Sequence, residues 1–312
     1  MGIKRNGIDY GLYLNGKHMG AYQNGVKMYP ADLAAYFLAV AHSTTPFITI
    51  YGHSGDTFTK LANPAALPTG IGNGVAFDNT GTYLAVAHDT TPFITIYRRS
   101  GDTFTKLANP AALPAAGAYN VAFDNTGTYL AVAHGVTPFI TIYRRSGDTF
   151  TKLANPAALP TGNVYGVAFD NTGTYLAVGH NTTPFITIYR RSGDTFTKLA
   201  NPAALPTGSG RGVAFDNTGT YLAVAHATSP FITIYRRSGD TFTKLANPAA
   251  LPTGNAINVA FDNTGTYLAV AHLNSPFITI YRRSGDTFTK LADPAVLPTG
   301  TGNGVAFFPN AF

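Results

Sequence analysis

The string YLAVAH, or a near copy of it, ends at His42, His88, His134, His180, His226 and His272, and the spacing is 46 residues each time, without insertion or deletion. A fixed period of this length marks a repeat architecture, in which each unit is too small to bury its own apolar faces and must stack on its neighbours. Six periods take up 276 of the 312 residues. About 34 residues at the N-terminus and a short tail lie outside the repeat.

Within one period the local pattern is that of strands. Beginning at Val75, VAF is followed by the turn DNTGT, the run YLAVAH, a short loop ending in Pro92, the run FITIYRR, the turn SGD and the run TFTKL. Thr, Tyr, Phe, Ile and Val crowd these runs, Gly and Asp supply the backbone angles of the turns, and no stretch has the 3.6-residue apolar spacing of an amphipathic helix. Each period therefore predicts four antiparallel strands. The connection that follows, ANPAALPTG and four more residues, could span about 40 Å. That suits a link from the outer strand of one four-stranded unit to the inner strand of the next.

The repeat resembles the WD40 and YVTN class of β-propeller repeats: FDNTGTYLAVAH is similar to that class's turn-and-strand signature, and Tyr97 and Arg98 stand where FITIY would lead into Trp-Asp. The chain has no Trp, so the WD40 side-chain network is not carried over. The resemblance implies an all-β, six-bladed propeller of four-stranded antiparallel blades over residues 34–312, preceded by an anchor of β-hairpins over residues 1–33. The tail GVAFFPNAF has an inner strand with no second strand, while AAYFLAVAH near residue 36 is a second strand with no clear inner one. Val305–Phe307 is thus expected to pair with Tyr36–Ala41 and close the ring. MYPA at residues 28–31 is the competing candidate for that slot, weakened by Pro30.

Two places vary between otherwise near-identical copies. One is the end of the connection, which reads IGNG, GAYN, NVYG, SGRG, NAIN and TGNG; the other is the loop after YLAVAH, which reads STT, DTT, GVT, NTT, ATS and LNS. In an up-and-down blade both fall on the same face, opposite the two tight turns. Unrestrained loops drift, but the DNTGT and SGD turns hold constant in the five complete copies, so recognition is the favoured reading and drift the alternative. Tyr119, Tyr165, Arg211 and Ile257 share one column with Asn73 and Asn303, and Tyr and Arg are interface anchors. The candidate ligand contacts are Ile71, Asn73, Asp89, Tyr119, Asn163, Tyr165, Asn181, Arg211, Ile257, Leu273 and Asn274, expected exposed around one rim and facing a protein or glycan.

Other features are read as structural. One His per blade leaves neighbours roughly 10 Å apart, too far to share a metal, so no metal site or cofactor is expected. The Arg pairs from Arg98–Arg99 to Arg282–Arg283 account for the charge of +6. With Asp102 and its equivalents three residues away they read as solvated or paired charges, and without an accompanying aromatic groove they argue against nucleic acid. No Cys is present, and no Ser, Cys or Glu constellation offers a nucleophile with a base, so no enzyme is expected. No apolar run reaches the roughly 18 residues of a membrane span, so membrane insertion is not expected. The N-terminal segment, with Asn15-Gly16 and Asn24-Gly25 between Tyr and small apolar residues, predicts a three-stranded meander and resembles hairpin segments of phage tail proteins. Together these imply a non-enzymatic virion component (fibre, spike or decoration protein) attached to its assembly through the hairpins, with a cytoplasmic WD40-like scaffold or a lectin-like carbohydrate binder as the alternatives.

Overall fold

The structure is a computed structural model that describes residues 36–54 and 57–307, together with six short strands between residues 3 and 28. Two compact units are found: Met1–Leu38 with Ile50–Leu61, and Ala39–Thr49 with Ala62–Phe312. No helix occurs among the described residues. The architecture is an all-β six-bladed propeller.

In the N-terminal segment β1 (Ile3–Arg5), β2 (Ile8–Tyr10), β5 (Ala21–Gln23) and β6 (Val26–Met28) form a four-stranded sheet, and β3 (Tyr13–Leu14) pairs with β4 (Lys17–His18). The pairs Arg5↔Ile8, Leu14↔Lys17 and Gln23↔Val26 each leave two residues between the strands, and in the sequence all three gaps are Asn-Gly. That dipeptide accepts the positive φ angles of a two-residue hairpin turn. The expected three-stranded meander is therefore a larger set, because Asn6-Gly7 adds a third hairpin. Met28 ends β6 opposite Ala21, which removes it from the propeller slot. The exit of the hairpins near Asp32 lies outside the described residues.

The first blade holds β7 (Tyr36–Ala41), β8 (Ile48–Ser54) and β9 (Thr57–Lys60). The second is complete, with β10 (Gly72–Phe77), β11 (Tyr83–His88), β12 (Ile94–Ser100) and β13 (Thr103–Lys106) paired in chain order, and the same four recur every 46 residues to Lys290. The closing strand differs from expectation. Gly302 donates its N–H to the His272 carbonyl as Gly72 does to that of His42, so the chain leaves the sixth blade along the repeat's own path. Residues 301–307 nonetheless form no strand, and Val305–Phe307 makes no ladder with β7 among the described residues. Leu38 and Val40 accordingly stay 46% and 41% exposed, where Leu84 and Val86 are fully buried.

The core lies between blades. Tyr83, Ala85, Ala87, Ile94 and Ile96 of the second blade pack on Ala118, Val121, Leu130, Val132, Tyr143 and Phe150 of the third, and the pattern repeats around the unit. From the second to the fifth blade the second strand is buried on both faces, which is why it is an unbroken apolar run rather than an alternating one. Polar ties follow the same direction. The Tyr83 hydroxyl donates to Asp148 Oδ1 at 2.7 Å, Arg145 stacks 4.3 Å from the Tyr83 ring centre, and the Tyr97 hydroxyl donates to the Ala66 carbonyl at 2.9 Å. Arg98 does not pair with Asp102, as the sequence spacing suggested, but with Asp148 of the next blade at 3.1 Å. Side chains stand off a sheet's face, so a strand residue reaches the neighbouring blade more readily than its own turn. Both partners are about half exposed, and such a pair contributes roughly 0–1 kcal/mol.

The turns are locked by buried Asp residues: Asp78 accepts the Tyr83 N–H at Oδ1 and the Thr80 hydroxyl at Oδ2. The strand-end histidines are structural too. His88 Nε2 lies 3.0 Å from Thr95 Oγ1, and in His272 the equivalent bond to Thr279 at 2.9 Å is joined by Nδ1 at 2.9 Å from the Asn274 carbonyl, the geometry of a neutral ring that donates from Nδ1 and accepts the Thr proton at Nε2. Burial pushes the imidazoles of His134, His180 and His226 down to about 4. Because these folded-state values lie below that of a free imidazole, near 6.5, unfolding takes up protons as the pH falls. The stabilisation they give is complete above about pH 6.5 and is lost between there and pH 4. Urea denaturation across this range should show a stability slope approaching three protons, about 4 kcal/mol per pH unit, and His134→Asn should remove about one proton from it. A flat profile would place the histidines in solvent.

Candidate functional site

The connection between blades is pinned before it becomes an inner strand. The Thr69 hydroxyl donates to the Thr91 carbonyl at 2.9 Å, and Thr161, Thr207 and Thr253 repeat the bond to Thr183, Ser229 and Ser275. This bond ties the two variable segments side by side in the second, fourth, fifth and sixth blades, while the third has Ala115 in place of the Thr. Further on, Asn181 donates its N–H to the Asn163 carbonyl and Leu273 to that of Asn255, each at 3.1 Å.

The variable column falls on a β-bulge. The ladder between β10 and β11 pairs Gly72 with His88 and Gly74 with Ala87, skipping Asn73; it skips Tyr119, Tyr165 and Ile257 at the same place, and both Arg211 and Gly212 in the fifth blade. A bulged residue is left out of the ladder and its side chain is re-aimed. Here the inner strands of successive blades run side by side, and the re-aimed side chains meet in one cavity of about 430 Å³. Its wall holds Asn73, Tyr119, Tyr165, Arg211, Ile257 and Asn303 from the bulge column, with Asn120, Gly212 and Asn258 one position further along and Ser209 from a connection.

The chemistry of that wall is specific. Four carboxamides and one hydroxyl can each donate and accept, the Tyr119 and Tyr165 rings sit 5.5 Å apart at 41°, and Ile257 adds an apolar surface. The Asn73 amide is fixed by its bond to the Ala118 carbonyl at 2.9 Å. Arg211 is the one charged residue of the wall, and no carboxylate joins it there. The repeated ion pairs of the blades do not involve it.

Five of the eleven sequence candidates, Asn73, Tyr119, Tyr165, Arg211 and Ile257, thus line the cavity. They form a concave wall rather than an outward rim, and Tyr119, the most open of the aromatic pair, is 39% exposed. Ile71, Asp89, Asn163, Asn181, Leu273 and Asn274 stay in the loops and connections outside it. Asn303 had been placed in the variable column but not among the candidate contacts, and sequence reasoning left out Asn120, Gly212, Asn258 and Ser209. The signal for Asn120, Gly212 and Asn258 lay in the last column of the variable segment, where the residue is always Gly or Asn, whereas nothing singled out Ser209.

Three glycines of that column sit where inner strands approach closely: a methyl at Gly212 would stand 2.7 Å from the Asn258 Cα, one at Gly74 3.1 Å from the Asn120 Cα, and one at Gly166 would collide with the Arg211 carbonyl oxygen. Backbone on the far side cannot yield as a side chain would.

No family model and no curated protein matches this sequence. Solved structures do. A candidate 6-phosphogluconolactonase from Bacteroides uniformis aligns with a TM-score of 0.66 at 13% identity over 81% of each chain. The periplasmic gluconolactonase PpgL of Pseudomonas aeruginosa gives 0.62 at 14% over 82% of each. A chain of the mitotic checkpoint complex gives 0.64 at 16%, covering 88% of this chain and 80% of that one. At such identities the likeness establishes the propeller fold.

These neighbours correct two expectations. A non-enzymatic virion component is replaced by a reading in which the fold hosts hydrolytic enzymes, since two of the three carry lactonase names. The likeness to phage tail hairpins finds no support among them. The expectation of no enzyme, drawn from the lack of a Ser, Cys or Glu constellation, is corrected with it, since neighbours with this fold carry enzyme names.

Gly212→Ala should lower unfolding stability by about 1–3 kcal/mol, whereas Asn258→Ala, which removes only a side chain from the cavity wall, should stay within about 0.5 kcal/mol. Urea titration of both variants checks the close approach; equal stabilities would refute it.

Proposed function

We propose that this propeller binds a small, oxygen-rich lactone in the bulge-lined cavity and hydrolyses it. The observation that carries the reading is the convergence of one variable residue from each inner strand on a single cavity otherwise built by repetition. Support for the reaction class comes from the lactonase names of two fold neighbours.

The wall suits such a substrate. Carboxamides recognise hydroxyl groups in either sense of a hydrogen bond, and a tyrosine pair offers flat surface to the C–H face of a sugar ring. Ring opening starts with water attacking the lactone carbonyl carbon, which places negative charge on the carbonyl oxygen. Amide N–H groups of Asn120 and Asn258 stabilise that charge, as fixed donors do in acyl transfer. The carbon–oxygen ring bond then breaks, the ring oxygen takes a proton, and the product leaves as a hydroxy acid. A Tyr119 or Tyr165 hydroxyl, in equilibrium with water, can supply that proton.

Proton release from D-glucono-δ-lactone and its 6-phosphate near neutral pH, measured against the uncatalysed rate, tests the proposal. The protein should accelerate at least one of them, and Asn120→Leu with Asn258→Leu should lower kcat/KM by about 100-fold while circular dichroism stays unchanged. No acceleration of either lactone, or full activity in the double variant, would remove the reading.

A further inference from the structure

Arg211 sits in the fifth blade's bulge, half-buried, in a wall whose other members are carboxamides, phenols, a hydroxyl, Ile257 and glycine. A guanidinium carries five N–H donors and no acceptor, and it keeps its charge at any working pH. Most of the other described arginines have partners. Arg98, Arg144, Arg190 and Arg236 each hold an Asp of the following blade, and Arg145, Arg191, Arg237 and Arg283 lie over tyrosine rings. For Arg211 no carboxylate is found in salt-bridge reach among the described residues. The equivalent bulge positions carry Asn, Tyr, Tyr, Ile and Asn, so the repeat's construction does not call for a cation there.

We propose that Arg211 is an anion-binding residue, and that the ligand is a sugar ring bearing a carboxylate or a phosphate in addition to the group that reacts. The cavity is asymmetric in the way such a ligand is. The Tyr119–Tyr165 pair makes one stretch of wall, Arg211 follows in the next blade, and Ile257 comes after it. A ring seated against the tyrosines would direct its charged substituent to the guanidinium, where a bidentate pair with two oxygens forms. The amides of Asn73 and Asn303 remain for the hydroxyls. This inference rests on the cavity of the proposed function but does not need its chemistry.

Binding of stable, non-lactone rings separates the two. Calorimetric titration of the full chain with glucose, glucuronate and glucose 6-phosphate compares a neutral ring with its carboxylate and phosphate counterparts. At least one charged sugar should bind about tenfold or more tightly than glucose, and which of them is favoured identifies the anion. In Arg211→Gln the preference should vanish while thermal unfolding is unchanged, and in Arg211→Lys part of it should return. Should the Gln variant fold poorly, the wild-type protein in about 0.5 M NaCl supplies the second measurement, since the preference must shrink with screening. Equal affinity for all three sugars, no binding of any, or a preference that survives either Arg211→Gln or high salt would overturn the proposal. A charged-sugar preference without lactone hydrolysis would leave the anion site standing and remove only the proposed reaction.

Discussion

Blade-on-blade packing is the constraint on which everything else in this chain depends. A four-stranded sheet of 46 residues has two faces, and the second strand of each blade is apolar on both, so no blade can be stable alone. Tyr83, Ala85 and Ala87 of the second blade pack on the third, whose own second strand meets them with Leu130 and Val132 while its Tyr129, Ala131 and Ala133 pack on the fourth. The polar ties run along the same contacts: a Tyr hydroxyl to the next blade's Asp, an Arg to the same Asp, and a second Arg over the tyrosine ring. Each of those surface ties is weak alone. Their value is register, since they fix where one blade lies on another, and register determines where the inner strands meet.

Much of the fold was legible because repetition makes the signal redundant. Strand identity came from β-branched runs between Gly and Asp turns, and the turn at Asp78 behaves as its sequence says, with the carboxylate holding the Tyr83 N–H. The arginine partners were not legible. Sequence spacing puts Asp102 nearest to Arg98, whereas the sheet face presents Arg98 to Asp148, fifty residues away. The ring's last strand was not legible either: Val305–Phe307 matches the inner strand in letters, yet forms no ladder with β7 among the described residues.

The candidate site was half legible. The variable column identified Asn73, Tyr119, Tyr165, Arg211 and Ile257, because near-identical copies make any difference conspicuous. What the letters could not show was direction. A bulge is a slip in pairing between two strands, and no residue type announces it, so side chains read as an outward rim turn into a shared cavity. The Gly-or-Asn column beside them was visible too, yet its meaning depends on inner strands so close that a methyl on Gly212 meets backbone.

A ring of like blades presents a ligand with like directions, whereas a small ligand with one reactive carbonyl and one charged group needs each direction to be different. Difference must enter where it does not disturb the packing that every blade shares. Ladder residues cannot change freely, since each is matched to a partner on the adjacent strand, and second-strand residues cannot change because two blades depend on them. The bulged residue is the exception: it makes no ladder pair, and its side chain meets the cavity instead of a blade face. Asn73, Tyr119, Tyr165, Arg211 and Ile257 therefore differ in size, polarity and charge on strands whose remaining pairings are nearly the same. The repeat supplies the scaffold, and the bulge in each inner strand supplies the asymmetry that a chemically directional ligand requires.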